Sequence, residues 1–75
     1  MKRYKNLGGN GGIRRYDLGP DFIVLEFTDG SQYEYTYERP GERHVQQMMA
    51  RAEAGRGLTT YINQHIRQDY ARKLR

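Results

Sequence analysis

The stretch from Phe22 to Tyr37 constrains the fold of this chain more than any other. Ile23, Leu25 and Phe27 alternate with Val24, Glu26 and Thr28. After Asp29-Gly30, Tyr33, Tyr35 and Tyr37 alternate with Gln32, Glu34 and Thr36. A period of two is the pattern of a strand buried on one side, and Asp-Gly between two such runs marks a hairpin. The turn sets which faces coincide. A two-residue turn pairs Thr28 with Ser31 and places Tyr33 opposite Glu26, which mixes polar and apolar groups on both faces. A three-residue loop Thr28-Asp29-Gly30, with Gly30 left-handed, pairs Phe27 with Ser31, Leu25 with Tyr33 and Ile23 with Tyr35. A slip of one residue turns every side chain over, and only the second register gives one clean core face. That register is the one expected.

The flanks of the hairpin extend it into a domain. Ile13 to Leu18 has a short mixed pattern that predicts an edge strand, closed by the turn residues Gly19-Pro20-Asp21. Pro40-Gly41 ends the sheet, with Pro40 suited to the first turn of a helix. From Glu42, Val45, Met48, Met49 and Ala52 follow helical spacing, and Gly55 is a natural stop. A second helix opens near Leu58 or Thr59; Leu58, Ile62, Ile66 and Tyr70 recur every four residues, and Arg72, Lys73 and Arg75 suit its C-terminal end. The expected fold is α+β, a three-stranded antiparallel β-meander followed by two helices packed on one face (βββαα) in two layers. Residues 13–75 form this single domain. Residues 1–12, with the run Gly8-Gly9-Asn10-Gly11-Gly12, read as a flexible N-terminal lead.

At 75 residues there is room for one domain with a thin core. Cysteine is absent, which excludes disulfides and thiolate zinc sites and fits a reducing compartment. No run approaches the ~20 apolar residues of a membrane span, and no apolar run of signal-peptide type follows the basic start. A cytoplasmic location is expected, in a small bacterial or phage protein or in a domain of a larger one.

Charge is strongly partitioned. Residues 1–15 carry five basic groups and no acid, residues 16–42 seven acids against Arg39 alone, and residues 43–75 seven bases against two acids. The three segments therefore stand at +5, −6 and +5, which recovers the net +4. Any polyanion surface must use the ends of the chain and not its middle.

With the hairpin placed, the sequence resembles the KTSC domain, a short bacterial module also found at the C-terminus of some lysyl-tRNA synthetases. The motifs that carry the likeness are Phe27-Thr28-Asp29-Gly30 as the Phe-x-x-Gly hairpin, Tyr33-Glu34-Tyr35 as Tyr-x-Tyr, Tyr16-Asp17 before them, and Gly55, Tyr61-Ile62-Asn63, Ile66 and Tyr70 after them. The likeness spans roughly residues 13 to 70. The chain departs from the family at Gly8 to Gly12, where serines are usual, and at Glu38-Arg39-Pro40, where Val-Pro is usual. The resemblance implies a β-hairpin-plus-helix fold; for function it implies little, because an RNA-binding role is proposed for that family and not established.

Several constellations invite a functional reading. Tyr33, Tyr35 and Tyr37 form a ladder that could stack single-stranded bases, but the chosen register sets them on the apolar face, and Glu26, Glu34 and Glu38 nearby repel phosphate. They are expected in the core. The basic ends supply the candidate nucleic-acid-binding residues Lys2, Arg3, Lys5, Arg14, Arg15, Arg56, Arg67, Arg72, Lys73 and Arg75. Gly9-Asn10-Gly11 lacks the preceding strand and following helix of a phosphate loop and reads as a tether. His65 and Asp69 lie four apart, but two ligands do not make a metal site, and His44 is the only other histidine. No nucleophile arrangement is visible. The expectation is a non-enzymatic binding or accessory module without cofactor or metal, taking nucleic acid through its basic ends. The alternative is a protein-interaction module or homo-oligomer that uses the exposed edge strand. No membrane or small-molecule partner is expected.

Overall fold

The hairpin closes in the register that the face-matching argument requires. In the computed structural model, which describes residues 1–9 and 11–75, Ile23 pairs with Tyr35 and Leu25 with Tyr33. The Phe27 N–H donates to Ser31 O at 2.8 Å and the Gly30 N–H to Phe27 O at 2.9 Å. Gly30 has φ 90°, a conformation costly for any residue with a Cβ. Asp29 Oδ1 accepts from both the N–H and the hydroxyl of Ser31 and so braces the loop.

The molecule is an α+β domain, and its antiparallel sheet has five strands where the sequence predicts three. The strands are β1 (Lys2–Arg3), β2 (Ile13–Leu18), β3 (Phe22–Phe27), β4 (Gln32–Thr36) and β5 (Arg72–Lys73), in the spatial order of the chain. The helices are α1 (Glu42–Ala54) and α2 (Leu58–Tyr61), the latter continuing as a π-helical turn over Ile62–Ile66. The apolar residues of both helices (Val45, Met48, Ala52, Leu58, Ile62 and Ile66) join Ile13, Tyr16, Ile23, Leu25 and Tyr35 in one buried cluster. The helices therefore cover one face of the sheet, and the other face is open.

Both additional strands correct the sequence reading. The segment 1–12 is not a detached lead: Lys2 pairs with Tyr16 and Arg3 with Arg15. Tyr4 is buried, and its hydroxyl accepts from the Leu58 N–H at 3.2 Å. The Leu7 N–H donates to Gly55 O at 2.7 Å. What anchors this segment is Tyr4, an apolar ring with a polar tip that finds a partner at the start of α2. Asn10, the centre of the Gly9-Asn10-Gly11 motif, lies outside the described residues. Because β1 pairs with it, β2 is also not the edge strand that its pattern suggests.

At the C-terminal side the second helix ends at Ile66 and does not run on to Arg75. Arg67 turns left-handed, with φ 53°. Residues 67–69 are polar and exposed, so a further helical turn would bury nothing. The free edge of β4 offers the backbone instead a full set of partners: Ala71 N–H to Glu34 O at 2.8 Å, Leu74 N–H to Gln32 O at 2.7 Å and Gln32 N–H to Arg75 O at 3.1 Å. Arg72, Lys73 and Arg75 accordingly lie on and beside a strand, not at a helix end. Pro40 stands in a cis Arg39–Pro40 bond, bridged to Thr36, and α1 starts two residues after it at Glu42.

Candidate functional site

An irregularity in β2 builds the site. The pairing of β2 with β3 shifts between Ile13 and Arg15, so that Ile13 and Tyr16, three residues apart, both point into the core. A bulge of this kind re-aims the side chains around it. Here it leaves two successive arginines exposed at the hairpin end of the sheet. Arg14 donates through Nη2 to Thr28 O at 2.8 Å. Arg15 makes a two-pronged contact with Glu26, Nε to Oε1 at 2.7 Å and Nη2 to Oε2 at 2.9 Å.

Glu26 lies on the open face at the hairpin end of the middle strand β3 and is only 3% exposed. Gln32 Nε2 adds a third hydrogen bond to it at 2.9 Å, and Arg14 Nη1 stands 3.9 Å away. The Arg15 hydrogen bonds, with those of Gln32 next, hold its carboxyl down to about 2, against the opposing effect of burial. The same contact raises the Arg15 guanidinium above its ordinary value. Glu26 is therefore a charge already met from three sides.

Around this network lies a groove of about 670 Å³ bounded by Arg14 and Arg15 from β2, Lys73 and Arg75 from the C-terminal strand, and Glu26, Asp29, Gly30 and Ser31. Four cationic side chains face two carboxylates there, a net formal charge of +2. The N- and C-terminal basic segments, separated in sequence by the acidic middle, meet at this point. Of the ten candidates, Arg14, Arg15, Lys73 and Arg75 are brought together. Arg3 flanks them, paired across β1 and β2 with Arg15. Arg72 is engaged by Glu34, Nε to Oε1 at 2.8 Å. The remaining four are elsewhere. Lys2 is opposite Tyr16 on β1. Lys5 packs its stem against Gly55, Arg56 approaches Gly8, and Arg67 lines a different concavity.

That second concavity is a cleft of about 470 Å³ between the hairpin and the turn after the π-helix. Phe27, Tyr33 and Tyr70 give it aromatic walls, and Asn63, Arg67 and Gln68 a polar rim. Phe27 meets Tyr33 edge-on at 5.6 Å, and Tyr33 and Tyr70 are tilted at 4.6 Å. The cleft shares Asp29 and Ser31 with the groove. Lys73 stands at the junction, lining the groove with its Nζ 5.8 Å from the Tyr33 ring centre. Sequence periodicity misses the cleft, because the four-residue spacing of Ile66 and Tyr70 assigns Tyr70 to a helix. Of the tyrosine ladder, Tyr35 is fully buried, and Tyr33 and Tyr37 are partly buried against the core. The open sheet face is thus not a tyrosine platform.

The histidines occupy a third place. His44 Nδ1 and Tyr61 Oη share a hydrogen bond at 2.7 Å, the His65 ring lies 4.7 Å from Tyr61, and the Arg51 guanidinium stands over Tyr61 at 4.5 Å. Asp69 pairs with Arg39 at 2.7 Å. Among the described residues no three His, Cys, Asp or Glu side chains converge as metal ligands, and no helix is long and apolar enough to cross a membrane. No family model, curated protein or solved structure matches the chain.

Proposed function

We propose that this chain is a small non-enzymatic binding module that takes RNA or DNA through phosphate contacts in the groove between β2 and the C-terminal strand. The observation that carries this reading is the convergence of Arg14 and Arg15 with Lys73 and Arg75 in one groove. Glu26, the buried acid of that groove, is neutralised by Arg15, so Lys73, Arg75 and Arg14 are left to face a ligand. Phosphate contacts made this way are independent of sequence and release counterions. The likeness of Tyr33-Glu34-Tyr35 and the hairpin to the KTSC domain supports the same reading. Recognition of a protein strand along the sheet edge has less support, because both edge strands are two residues long.

Fluorescence anisotropy with labelled oligonucleotides tests the proposal. Affinity should fall about tenfold or more between roughly 50 and 200 mM salt. The double substitution Lys73→Ala/Arg75→Ala should weaken binding and reduce the slope of log K against log salt by about 1–2, with little change in thermal stability because both side chains are exposed. Absence of binding at low salt removes the proposal.

A further inference from the structure

We infer that the nucleic acid taken by this groove is single-stranded, and that one unpaired base enters the adjoining cleft between the hairpin and residues 63–70. This inference rests on the proposed function and deepens it. Two observations lead to it. The groove and the cleft are neighbours that share Asp29 and Ser31 in their walls. Lys73, at their junction, faces the groove while its ammonium stands beside the Tyr33 ring. A strand whose phosphates contact Lys73 and Arg75 therefore has a nucleobase-compatible cavity within reach.

The chemistry of the cleft matches a base better than an aliphatic ligand. Phe27, Tyr33 and Tyr70 are half-buried and so still offer ring surface to a planar group. Stacking on such rings is tolerant of sequence, because every base has a π-face. The exposed amides of Asn63 and Gln68 each present a donor and an acceptor, the complement that a hydrogen-bonding base edge requires. Arg67 adds a guanidinium, which can stack on a base or contact its phosphate. A base held in a duplex exposes neither its face nor its pairing edge, so the cleft selects unpaired nucleotides.

The backbone around the cleft is unusual in a way that fits such a use. The helix passes into a π-turn over Ile62–Ile66, closed by the Arg67 N–H to Ile62 O, and Arg67 itself sits at φ 53°, ψ −113°. π-turns and left-handed non-glycine residues are locally unfavourable and gather at functional sites. Here they set Asn63, Arg67 and Gln68 on one wall of the cavity.

The experiment compares a labelled single-stranded oligonucleotide with the duplex of the same sequence, by anisotropy at low salt. The single strand should bind at least tenfold more tightly. Tyr70→Ala should lower single-strand affinity by about 5- to 150-fold without changing the salt slope, whereas Lys73→Ala/Arg75→Ala should reduce that slope. Because Tyr70 also packs on Tyr33 and Tyr35, the double substitution Asn63→Ala/Gln68→Ala provides an exposed alternative and should weaken the single strand alone. In NMR spectra the Asn63 and Gln68 side-chain amides should shift with the single strand and not with the duplex. Equal affinity for the two forms, with a retained salt slope, overturns the base cleft and leaves the groove standing. Loss of binding to both forms at low salt overturns the groove and the cleft together.

Discussion

Glu26 is the residue on which structure and chemistry meet most closely. It is the one acid buried among the described residues, and its carboxylate is held by Arg15 and Gln32. In the unfolded chain it takes up a proton near the ordinary carboxylate value; in the folded chain it does so only at about 2. Its contribution to stability is therefore fully present above the ordinary value and is lost as pH falls from there towards 2. Thermal melts from pH 5 to 2 should show a steep decline for the native chain and a shallower one for Glu26→Gln. Arg15→Leu leaves the buried carboxylate without its main partner and should lower Tm clearly at neutral pH. Arg39→Ala, which removes the solvent-exposed pair with Asp69, should lower it little. Tyr35 gives the opposite limb. Burial, with Tyr33 and Tyr70 close by, raises its phenol above its ordinary value, so the unfolded chain ionises first as pH rises past about 10. Tyr35→Phe should move the alkaline unfolding midpoint upward.

At the scale of elements, the hairpin was fully legible because two alternating runs and one glycine determine its phase together. Gly30→Ala should keep that register while costing about 1–2 kcal/mol in denaturant unfolding, the strain of a left-handed residue with a Cβ. The amphipathic α1 and the start of α2 were legible for the same reason, since each repeats its period over several turns. β1 and β5 were not. Two residues hold no period, and both strands exist because β2 and β4 present unpaired backbone that they satisfy. The Ile13-x-x-Tyr16 spacing was a trace of the bulge, visible only once both residues are known to face inward. Of the candidate binding residues, sequence named all four groove cations but could not separate them from Lys5, Arg56 and Arg67. The cleft escaped it because its walls come from a hairpin and from a turn that masquerades as helix. Tyr4, hidden in an apparently plain lead, tests how far these short pieces matter. Its hydroxyl caps the Leu58 N–H, so Tyr4→Phe leaves a buried donor unmet and should destabilise the domain by about 1–3 kcal/mol.

For the whole molecule, the exposed area of 4765 Å² is close to the roughly 4,800 Å² expected of a folded chain of this mass. The radius of gyration of 10.7 Å matches the roughly 11 Å of a compact domain. Such a size leaves one thin core, in which Ile23, Leu25, Val45, Met48 and Leu58 are completely enclosed. Leu25→Ala should cost about 2–5 kcal/mol, a large share of the total stability of a domain this small, and should broaden or abolish the cooperative thermal transition. The sheet order runs in chain order, yet its closing contacts join residues far apart in sequence, Tyr4 with Leu58 and Gln32 with Leu74. Lys73 and Arg75 reach the groove only while their short segment stays docked on β4; fraying of that two-residue pairing would dismantle one wall of the proposed phosphate site and leave the core, to which neither side chain belongs, intact.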